Sequence, residues 1–422
     1  MDNLTHSIVG FGTGELVHRS LRPEAAPQRQ RTRHRLLLVA GALASNFPDL
    51  DLFQTHLLPA PLGYLLNHRG ITHTVLMALP QALALCLLLW LCWPAARGLL
   101  RASVPARVGL GVVVLAGLAL HLLMDFTNSY GVHPFYPFDA RWFYGDVVFI
   151  VEPLYWVAIG VPLALIVRWR WLRITALAGL VAVLLVVAAK GYLLWTSLLV
   201  LLALGMAVGL AQRYADHPAP AGSAARQGRA GLLLALGVCL AFLAAQSVAS
   251  SAGRRQITAA LQKIDPAAQV LDVAMTAFPS QPLCWNFVSV ERNEAAGSYR
   301  LRRGTASVAS AWLAPLACPS GLVERGADAA LSAGVLQSAQ QDSSLQALRQ
   351  LEIGNCEVDA WLRFGRAPAL VQQDDGAQLS DYRFAVTPRG NFTTLRVPRG
   401  DKPACAPDMP DWAYPRADLL AR

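Results

Sequence analysis

Long apolar stretches separated by short polar gaps dominate the first 249 residues of the chain. Uninterrupted apolar runs occupy residues 74–93, 108–124, 148–167, 174–189, 192–211 and 230–249. Each run approaches the roughly 20 residues that an α-helix needs to cross a bilayer, so the pattern predicts six transmembrane helices. Residues 3–17 and 36–47 are apolar over shorter lengths, and we expect short or partly embedded membrane helices there.

The pattern changes after residue 249. Short alternating runs predict strands at Trp285–Val290, 382–386 and Phe392–Val397, with turns at 373–376 and 388–391. Two stretches predict helices, an amphipathic one at Arg254–Ile264 and one or two at 327–351. The fold class expected is therefore mainly α, a polytopic transmembrane helical bundle of six full and two short membrane helices with a C-terminal α+β soluble domain.

Composition supports this division. The chain has 422 residues, of which 15% are charged, against about 25% in soluble domains. Residues 1–249 hold 28 charged residues, whereas the shorter tail, residues 250–422, holds 35. We expect a metal-site membrane domain at 1–160, additional transmembrane helices at 161–249 and an extracytoplasmic domain at 250–422. No basic patch interleaved with aromatic residues indicates nucleic-acid binding.

The positive charges predict the orientation of the helices. Threading the chain through eight segments places loops 18–35, 94–107, 168–173 and 212–229 on one side with 15 Lys and Arg, against three on the other side before the tail. By the positive-inside rule the Arg-rich side is cytoplasmic and the tail is periplasmic or extracellular. In that oxidising compartment Cys284, Cys318, Cys356 and Cys405 can form two disulfides in any of three connectivities, or remain four unpaired thiols.

Histidines and acids near the outer side are candidates for metal binding. His121 and Asp125 lie four residues apart, on one face of a helix, where an imidazole and a carboxylate can close on one ion. Such residues are costly in an apolar helix without a partner, which favours a functional site. The alternative is a structural His–Asp hydrogen bond. His6, on the outer turn of the first short helix, is a further candidate ligand.

Asp49 and Asp51 form a second candidate group. Pro48 ends the preceding helix, and in extended chain carboxylates at i and i+2 point to the same side, which suits a divalent ion or a bridging pair. The alternative is an ordinary Asp-rich turn.

His68 and His73 form the third group. On a continuous helix they would lie about 140° apart, so both can face one site only if the chain breaks near Gly70. The alternative is a pair of interface histidines beside a turn. A zinc-binding imidazole needs its second nitrogen held by a carboxylate or a carbonyl, and the candidate carboxylates are Asp51, Asp139 and Asp146.

Two acids are candidates for a catalytic role. Glu152 begins the fifth long apolar segment, with Pro153 at a favoured first-turn position. A carboxylate at the edge of the hydrocarbon can act as a general base or ligand, and Asp146 in the preceding loop is the second candidate. The alternative for Glu152 is a helix N-terminal acid stabilised by the macrodipole.

The sequence resembles the YdjM family of inner-membrane proteins in four motifs taken in order: Asn3-Leu-Thr-His6, Asn46-Phe-Pro-Asp49-Leu-Asp51, His68-Arg-Gly-Ile-Thr-His73-Thr and His121-Leu-Leu-Met-Asp125. The resemblance implies a membrane-bound, metal-dependent hydrolase of the bacterial inner membrane. By a weaker analogy, a helical His/Asp site of this order is similar to zinc-dependent phospholipase C and the related single-strand nucleases, which implies phosphoester hydrolysis by zinc. We expect one or two ions.

The leading hypothesis is a membrane-embedded hydrolase that opens to the periplasmic face and acts on a phosphoester of a lipid or lipid-linked substrate. Membrane lipids are the expected partners. The tail carries no His, nucleophile elbow or phosphate loop, so it is expected to capture substrate, contact a partner or cap the site. The alternatives are a transporter or metal-handling protein and a non-catalytic envelope scaffold with a structural metal. Segments 174–189, 192–211 and 230–249 lack Asp, Glu and His, which argues against a conduction path through them.

Overall fold

In a computed structural model of the chain, the described residues are 1–215, 228–323, 326, 328–384, 390–400, 405 and 409–421. Long helices come first and strands follow. The helices before the sheet are α1 Asn3–Ser20, α2 Pro27–Ala44, α3 Leu62–Asn67, α4 Val75–Cys92, α5 Pro94–Ala102, α6 Val104–Phe126, α7 Pro153–Ile166, α8 Arg170–Ala189, α9 Trp195–Ala215 and α10 Ala230–Ile264. Two 3-10 helices, Phe47–Leu57 and Ile71–His73, lie beside α3.

Within the described part of the chain, six helical segments are long and apolar enough to cross a membrane. They are Pro27–Leu57, Val75–Cys92, Val104–Phe126, Arg170–Ala189, Trp195–Tyr214 and Ala230–Ile264. Five of them coincide with predicted runs, and the polytopic fold class is confirmed.

Two helices differ from the prediction at their ends. α2 begins at Pro27 rather than near residue 36, because Pro is well suited to a first helical turn and the following arginines are good helix formers. α7 has 14 residues, about 21 Å, and is shorter than the predicted run 148–167. It begins late because Glu152 caps it, accepting a hydrogen bond from the Leu154 backbone N–H at 3.1 Å.

The helix ends define two ends of the bundle. At the Arg-rich end, Arg229 Nη1 donates to Ser20 Oγ at 3.2 Å, and Ser103 Oγ donates to Glu24 at 2.7 Å. These contacts join three of the loops that the threading placed on one side. The N-termini of α1 and α4 and the C-termini of α2 and α6 lie at the opposite end, which we call the site end.

The tail forms two antiparallel sheets. The first has the order β1-β2-β3-β5-β4, with β1 Gln269–Phe278, β2 Gln281–Asn293, β3 Ser298–Ser307, β4 Ala329–Ser332 and β5 Val335–Ser344. The second contains β6 Pro368–Gln373, β7 Gly376–Asp381 and β8 Leu395–Pro398. Helices α11 Leu345–Gly354, α12 Cys356–Leu362 and α13 Ala417–Leu420 and 3-10 turns at Pro315–Ala317 and Ser320–Leu322 complete it. The predicted amphipathic helix is the end of α10, and Ile257 and Leu261 pack it against the first sheet.

The helices predicted at 327–351 are wrong over most of that range. β4 and β5 occupy it, and α11 begins only at Leu345, where the Ser344 hydroxyl accepts from the Ala347 N–H at 3.2 Å. β5 pairs along its whole length with β3, and this pairing overrides the weak local preference of a polar segment.

The other tail predictions have mixed outcomes. The run 285–290 lies inside β2, and the turn at 373–376 joins β6 to β7, as predicted. The strand predicted at 392–397 begins later, at Leu395. The strand predicted at 382–386 and the turn at 388–391 lie partly outside the described residues.

Apolar packing joins the tail to the site end. Leu62, Leu65 and Leu66 of α3 belong to one core cluster with Trp361 of α12. Trp412, near the C-terminus, donates from its indole N–H to the Leu66 carbonyl at 2.9 Å. The tail and the chain before residue 68 therefore share a core.

The four tail cysteines form two disulfides, Cys284–Cys318 and Cys356–Cys405. This selects one of the three connectivities that the sequence left open and excludes four unpaired thiols. The first links β2 to the segment after β3, and the second links the start of α12 to a residue after β8.

Candidate metal centre

Four elements bring the seven predicted metal ligands to the site end. They come from α1 (His6), the 3-10 helix Phe47–Leu57 (Asp49, Asp51), the chain before α4 (His68, His73) and the last turns of α6 (His121, Asp125). Ligand atoms of Asp49, His73, His121 and Asp125 all lie within 4.8 Å of one another, and so do those of Asp49, Asp51 and His68. Because Asp49 belongs to both groups, the cluster could hold one ion or two.

His73 and His121 form the centre of the cluster. Their Nε2 atoms are 3.0 Å apart. Asp125 Oδ2 is 3.3 Å from His73 Nε2 and 3.5 Å from His121 Nε2, and Asp49 Oδ1 is 3.4 and 3.6 Å from the same two atoms. Two imidazole nitrogens and two carboxylate oxygens thus surround one point.

The contacts of the two Nδ1 atoms show that the two Nε2 atoms can bind a cation. His121 Nδ1 is 2.7 Å from the Ser45 carbonyl oxygen, and His73 Nδ1 is 3.0 Å from Asp51 Oδ2. Both partners only accept, so in each neutral ring the proton is on Nδ1. Two Nε2 lone pairs then face each other beside two carboxylates, which is unfavourable unless a proton or a metal cation lies between them. This set of nitrogen and oxygen donors suits zinc.

Close helix packing brings His6 into the cluster. A Cβ on Gly10 of α1 would lie 2.3 Å from the carbonyl oxygen of Gly41 of α2, so a side chain there would force these helices apart. The His6 ring stacks on His121 with centroids 4.1 Å apart, and His6 Nε2 is 3.2 Å from Asp125 Oδ1. His6 therefore supports both a candidate imidazole ligand and a candidate carboxylate ligand.

Asp49 and Asp51 lie in a 3-10 helix, so the predicted extended chain is wrong. Pro48 is tolerated in the first turn, where its missing N–H is not required. At about 120° per residue the two carboxylates point in different directions. Asp49 faces the two central imidazoles, whereas Asp51 faces the chain at 68–73.

Asp51 organises the chain at 68–73. Its carboxylate accepts hydrogen bonds from His68 Nδ1 at 3.0 Å, the Arg69 backbone N–H at 2.9 Å and the Thr72 hydroxyl at 2.7 Å. It also lies 3.0 Å from His73 Nδ1, which is 3.1 Å from Thr72 Oγ1. A carboxylate in this position fixes the tautomer and the orientation of a metal-binding histidine. Of the three carboxylates proposed for this role, Asp51 is the one in contact with His73.

The chain breaks between the two histidines, as expected. α3 ends at Asn67, and the 3-10 helix Ile71–His73 begins after Gly70. The residue with a left-handed backbone is Arg69, with φ 60°, rather than Gly70. Gly70 is needed for close approach, because a Cβ there would lie 2.9 Å from the Asn67 carbonyl oxygen.

Sequence analysis missed Arg69 and Asn3. Arg69 is 3% exposed, its Nε lies 3.0 Å from Asp125 Oδ2, and its Nη1 donates to Asn128 at 3.0 Å. Asn3 donates to Asp49 Oδ2 at 2.9 Å. The sequence signal for Arg69 is its position between two candidate ligands, His68 and His73, although its charge also fits a loop residue. Even with Arg69 and the α-amino group of Met1, which donates to Asp125, the three carboxylates outnumber the cations that contact them.

Glu152 and Asp146 have other partners. The Glu152 carboxylate accepts from the Leu154 and Ser280 backbone N–H groups and from the Ser280 hydroxyl. Burial raises the pKa of Glu152 to about 7, against the opposing effect of these hydrogen bonds. Asp146 accepts from Arg366 at 2.9 and 2.8 Å and from Arg254 at 3.0 Å. These contacts are with α7, α10 and the tail, so a catalytic role for either acid stays a prediction.

The cluster is least buried at His68 and Asp49, whose side chains are 11% and 9% exposed. The Tyr64 ring lies 5.0 Å from the His68 ring and, with Phe392 of the tail, lines a cavity of about 520 Å³. Phe53, on the same 3-10 helix as Asp49, is largely exposed. Tyr64 thus lies between His68 and a cavity of mixed apolar and polar lining, and the tail contributes to the rim of that cavity.

The fold and the cluster together define a polytopic membrane protein with a candidate metal centre at one end of its helical bundle. Residues 1–197 match the family model of the YdjM inner membrane protein. This region includes every residue of the cluster and confirms the resemblance found in the motifs.

A curated relative is similar over part of this region. Uncharacterized protein YfhP of Bacillus subtilis (strain 168) is 25% identical over 169 residues, which cover 40% of this chain and 46% of that protein. The match therefore spans less than half the length of that relative. No solved structure matches the chain.

Proposed function

We propose that the protein is a membrane-embedded, metal-dependent hydrolase that cleaves a phosphoester of a lipid or lipid-linked substrate at the periplasmic face of the inner membrane. Zinc is the proposed metal, held by Asp49, His73, His121 and Asp125. The observation that carries the proposal is the 3.0 Å approach of the His73 and His121 Nε2 atoms between two carboxylates.

The surrounding residues suit hydrolysis. When bound, the ion would polarise the phosphoester and lower the pKa of a bound water. His68 is the proposed proton acceptor, because its Nδ1 donates to Asp51 and its Nε2 lone pair can then take a proton. Its ring centroid lies 5.0 Å from that of Tyr64, which lines the cavity shared with the tail, and this cavity is the proposed route of the substrate. Arg69 holds the Asp125 carboxylate by charge.

The surroundings of the cluster support a lipid substrate and a periplasmic location. Exposed apolar residues such as Phe53 flank the cluster, as expected at the depth of lipid headgroups. The Arg-rich loops lie at the opposite end, and the disulfides suit an oxidising compartment. Both features agree with a site end that faces away from the cytoplasm.

The first test measures metal. We expect the purified protein to hold stoichiometric zinc by mass spectrometry and the His121→Ala, Asp125→Ala double variant to lose it. His56→Ala is the matched control, since His56 lies on the same 3-10 helix as Asp49 but outside both ligand groups. Stoichiometric zinc retained in the double variant would overturn the site assignment.

The second test measures hydrolysis of phosphoester lipids in vesicles. Chelation should abolish phosphate release and zinc should restore it. His68→Gln should lower kcat by about 10²- to 10⁴-fold, the usual contribution of general base catalysis, while zinc stays bound. A zinc-loaded protein that cleaves no phosphoester in a broad panel would overturn the hydrolase proposal and favour the scaffold.

A further inference from the structure

A second cavity opens on the flank of the bundle, between α1, α2, α7 and α8, and we call it the lateral groove. Its volume is about 760 Å³, and apolar side chains line most of it. The groove runs along α7 from Trp156, near the site end, to Arg168 in an Arg-rich loop. That distance is about 18 Å at 1.5 Å per residue.

Two glycines create the space in the lateral groove. Gly160 of α7 and Gly179 of α8 both line it, and a Cβ built on either would meet no atom within 4 Å. Leucine at both positions would therefore place side chains in the groove, and their Cβ atoms would meet no neighbouring atom. Because leucine is a better helix former than glycine, these substitutions should not prevent folding.

The site end of the lateral groove adjoins the metal cluster. Leu4 lines the groove, and its neighbour Asn3 donates to Asp49 at 2.9 Å. Trp156 also lines it, and its indole N–H donates to Thr5 at 2.8 Å, one residue before His6. One end of a molecule in the groove therefore lies close to two members of the cluster, Asp49 and His6.

We propose that the lateral groove binds one hydrocarbon chain of a membrane lipid whose phosphate headgroup lies at the metal cluster. The role of the headgroup rests on the proposed function, whereas the groove itself is a separate feature. The substrate would then be a phospholipid or lipid-linked phosphate of the leaflet at the site end, bound by its chain as well as by its phosphate.

The dimensions favour a chain over a protein helix. A transmembrane helix of a partner or second copy needs a surface of about 30 Å, the thickness of the hydrocarbon core, whereas a chain of one leaflet extends over about half of that. A groove of about 18 Å is too short for such a helix but can hold a chain, and the chain reaches the Arg-rich end because α7 has only 14 residues.

The charges at the far end are partly occupied. There Glu15 is buried, and its carboxylate pairs with His34 at 2.6 Å and with Arg19 at 2.5 Å. Arg19 already faces a carboxylate, so it is a poor partner for a phosphate. Arg168 also lines this end, and the labelling experiment below separates a headgroup at Arg168 from one at the site end.

The test uses the full chain in vesicles of phosphatidylethanolamine and phosphatidylglycerol that contain a phosphatidylglycerol with a photoreactive diazirine at the end of one acyl chain. We expect labelling of the wild type near Leu163–Arg168, at the Arg-rich end of the groove. The Gly160→Leu, Gly179→Leu variant should lose this label. The matched control is Gly111→Leu, Gly237→Leu, because these helix glycines also have open space around them but lie outside the groove.

Two labelling outcomes would overturn the inference: equal labelling of the groove variant and the control, or labelling near Trp156 instead, which would place the headgroup at the Arg-rich end. A third would be a crosslink to a second copy from a variant that carries a photoreactive amino acid at Leu163. Labelling needs no turnover, so it is independent of the hydrolase proposal. If hydrolysis is found, the groove variant should raise KM for long-chain substrates by about tenfold, equivalent to about 1.4 kcal/mol, and leave KM for a soluble short-chain phosphoester unchanged. An equal rise in KM for both substrates would also contradict the proposal that the groove binds a hydrocarbon chain.

Discussion

Asp51→Asn is the most informative single change, because it leaves every atom of the four-residue ligand group in place. The Asp51 carboxylate accepts three hydrogen bonds from the chain at 68–73 and lies 3.0 Å from His73 Nδ1. An amide of the same shape must present an NH2 group to at least one of these donors. If that group faces His73 Nδ1, the His73 proton moves to Nε2, the atom that faces His121.

The expected cost follows from this change of tautomer. Substitution of groups that orient metal-binding histidines typically lowers metal affinity by about 10- to 100-fold, which corresponds to about 1.4 to 2.8 kcal/mol. Loss of a ligand itself should cost more. Asp51→Asn should therefore bind zinc more weakly than the wild type and more tightly than His121→Ala.

The assay is a zinc titration of the purified protein in competition with a chromophoric chelator. Asp139→Asn is the control, since Asp139 pairs with Arg141 on an exposed part of the loop. Unchanged affinity in Asp51→Asn would refute the orienting role. A loss as large as that of His121→Ala would instead make Asp51 a ligand.

Three further predictions concern stability. Arg366→Met should weaken docking of the tail by about 3 to 5 kcal/mol, because it leaves the buried Asp146 carboxylate without its bidentate partner, and limited proteolysis of the tail should accelerate. Reduction of the two disulfides should cost about 4 kcal/mol each by loop-closure entropy and lower Tm, whereas Cys239→Ser should leave the effect of reductant unchanged. Burial raises the pKa of Glu152 to about 7 in the folded protein, so the unfolded chain loses this proton at a lower pH. The free energy of unfolding should therefore fall by up to about 3 kcal/mol as pH rises from about 4.5 to above 7. Glu152→Gln should flatten that fall in urea titrations, and an unaltered profile would contradict the assignment.

The helical parts of the site were predictable because helix geometry is local. His121 and Asp125 share a face at i and i+4 whatever surrounds them, and the apolar runs fix which end of the bundle they reach. The break between His68 and His73 was predictable from the same geometry.

The remaining parts depend on contacts that are distant in sequence. The directions of Asp49 and Asp51 follow from a 3-10 helix held by the chain at 68–73, and nothing local distinguishes it from extended chain after Pro48. Arg69 carries the same charge whether it marks topology or pairs with Asp125. In the tail, β5 is a strand because β3 lies beside it.

The position of α3 affects how the role of the tail can be tested. α3 supplies Leu62, Leu65 and Leu66 to a core shared with the tail, and Trp412 donates to the Leu66 carbonyl. His68 follows two residues later, so deletion of residues 250–422 would expose these leucines and free the chain that carries two of the proposed site residues. Loss of function after such a deletion would therefore not separate a scaffold from a hydrolase. A point change at the rim, such as Phe392→Ala, keeps the shared core and alters only the approach to the cluster. If the tail helps to bind substrate, this variant should retain zinc and raise KM, whereas a tail that serves only another protein should leave both unchanged.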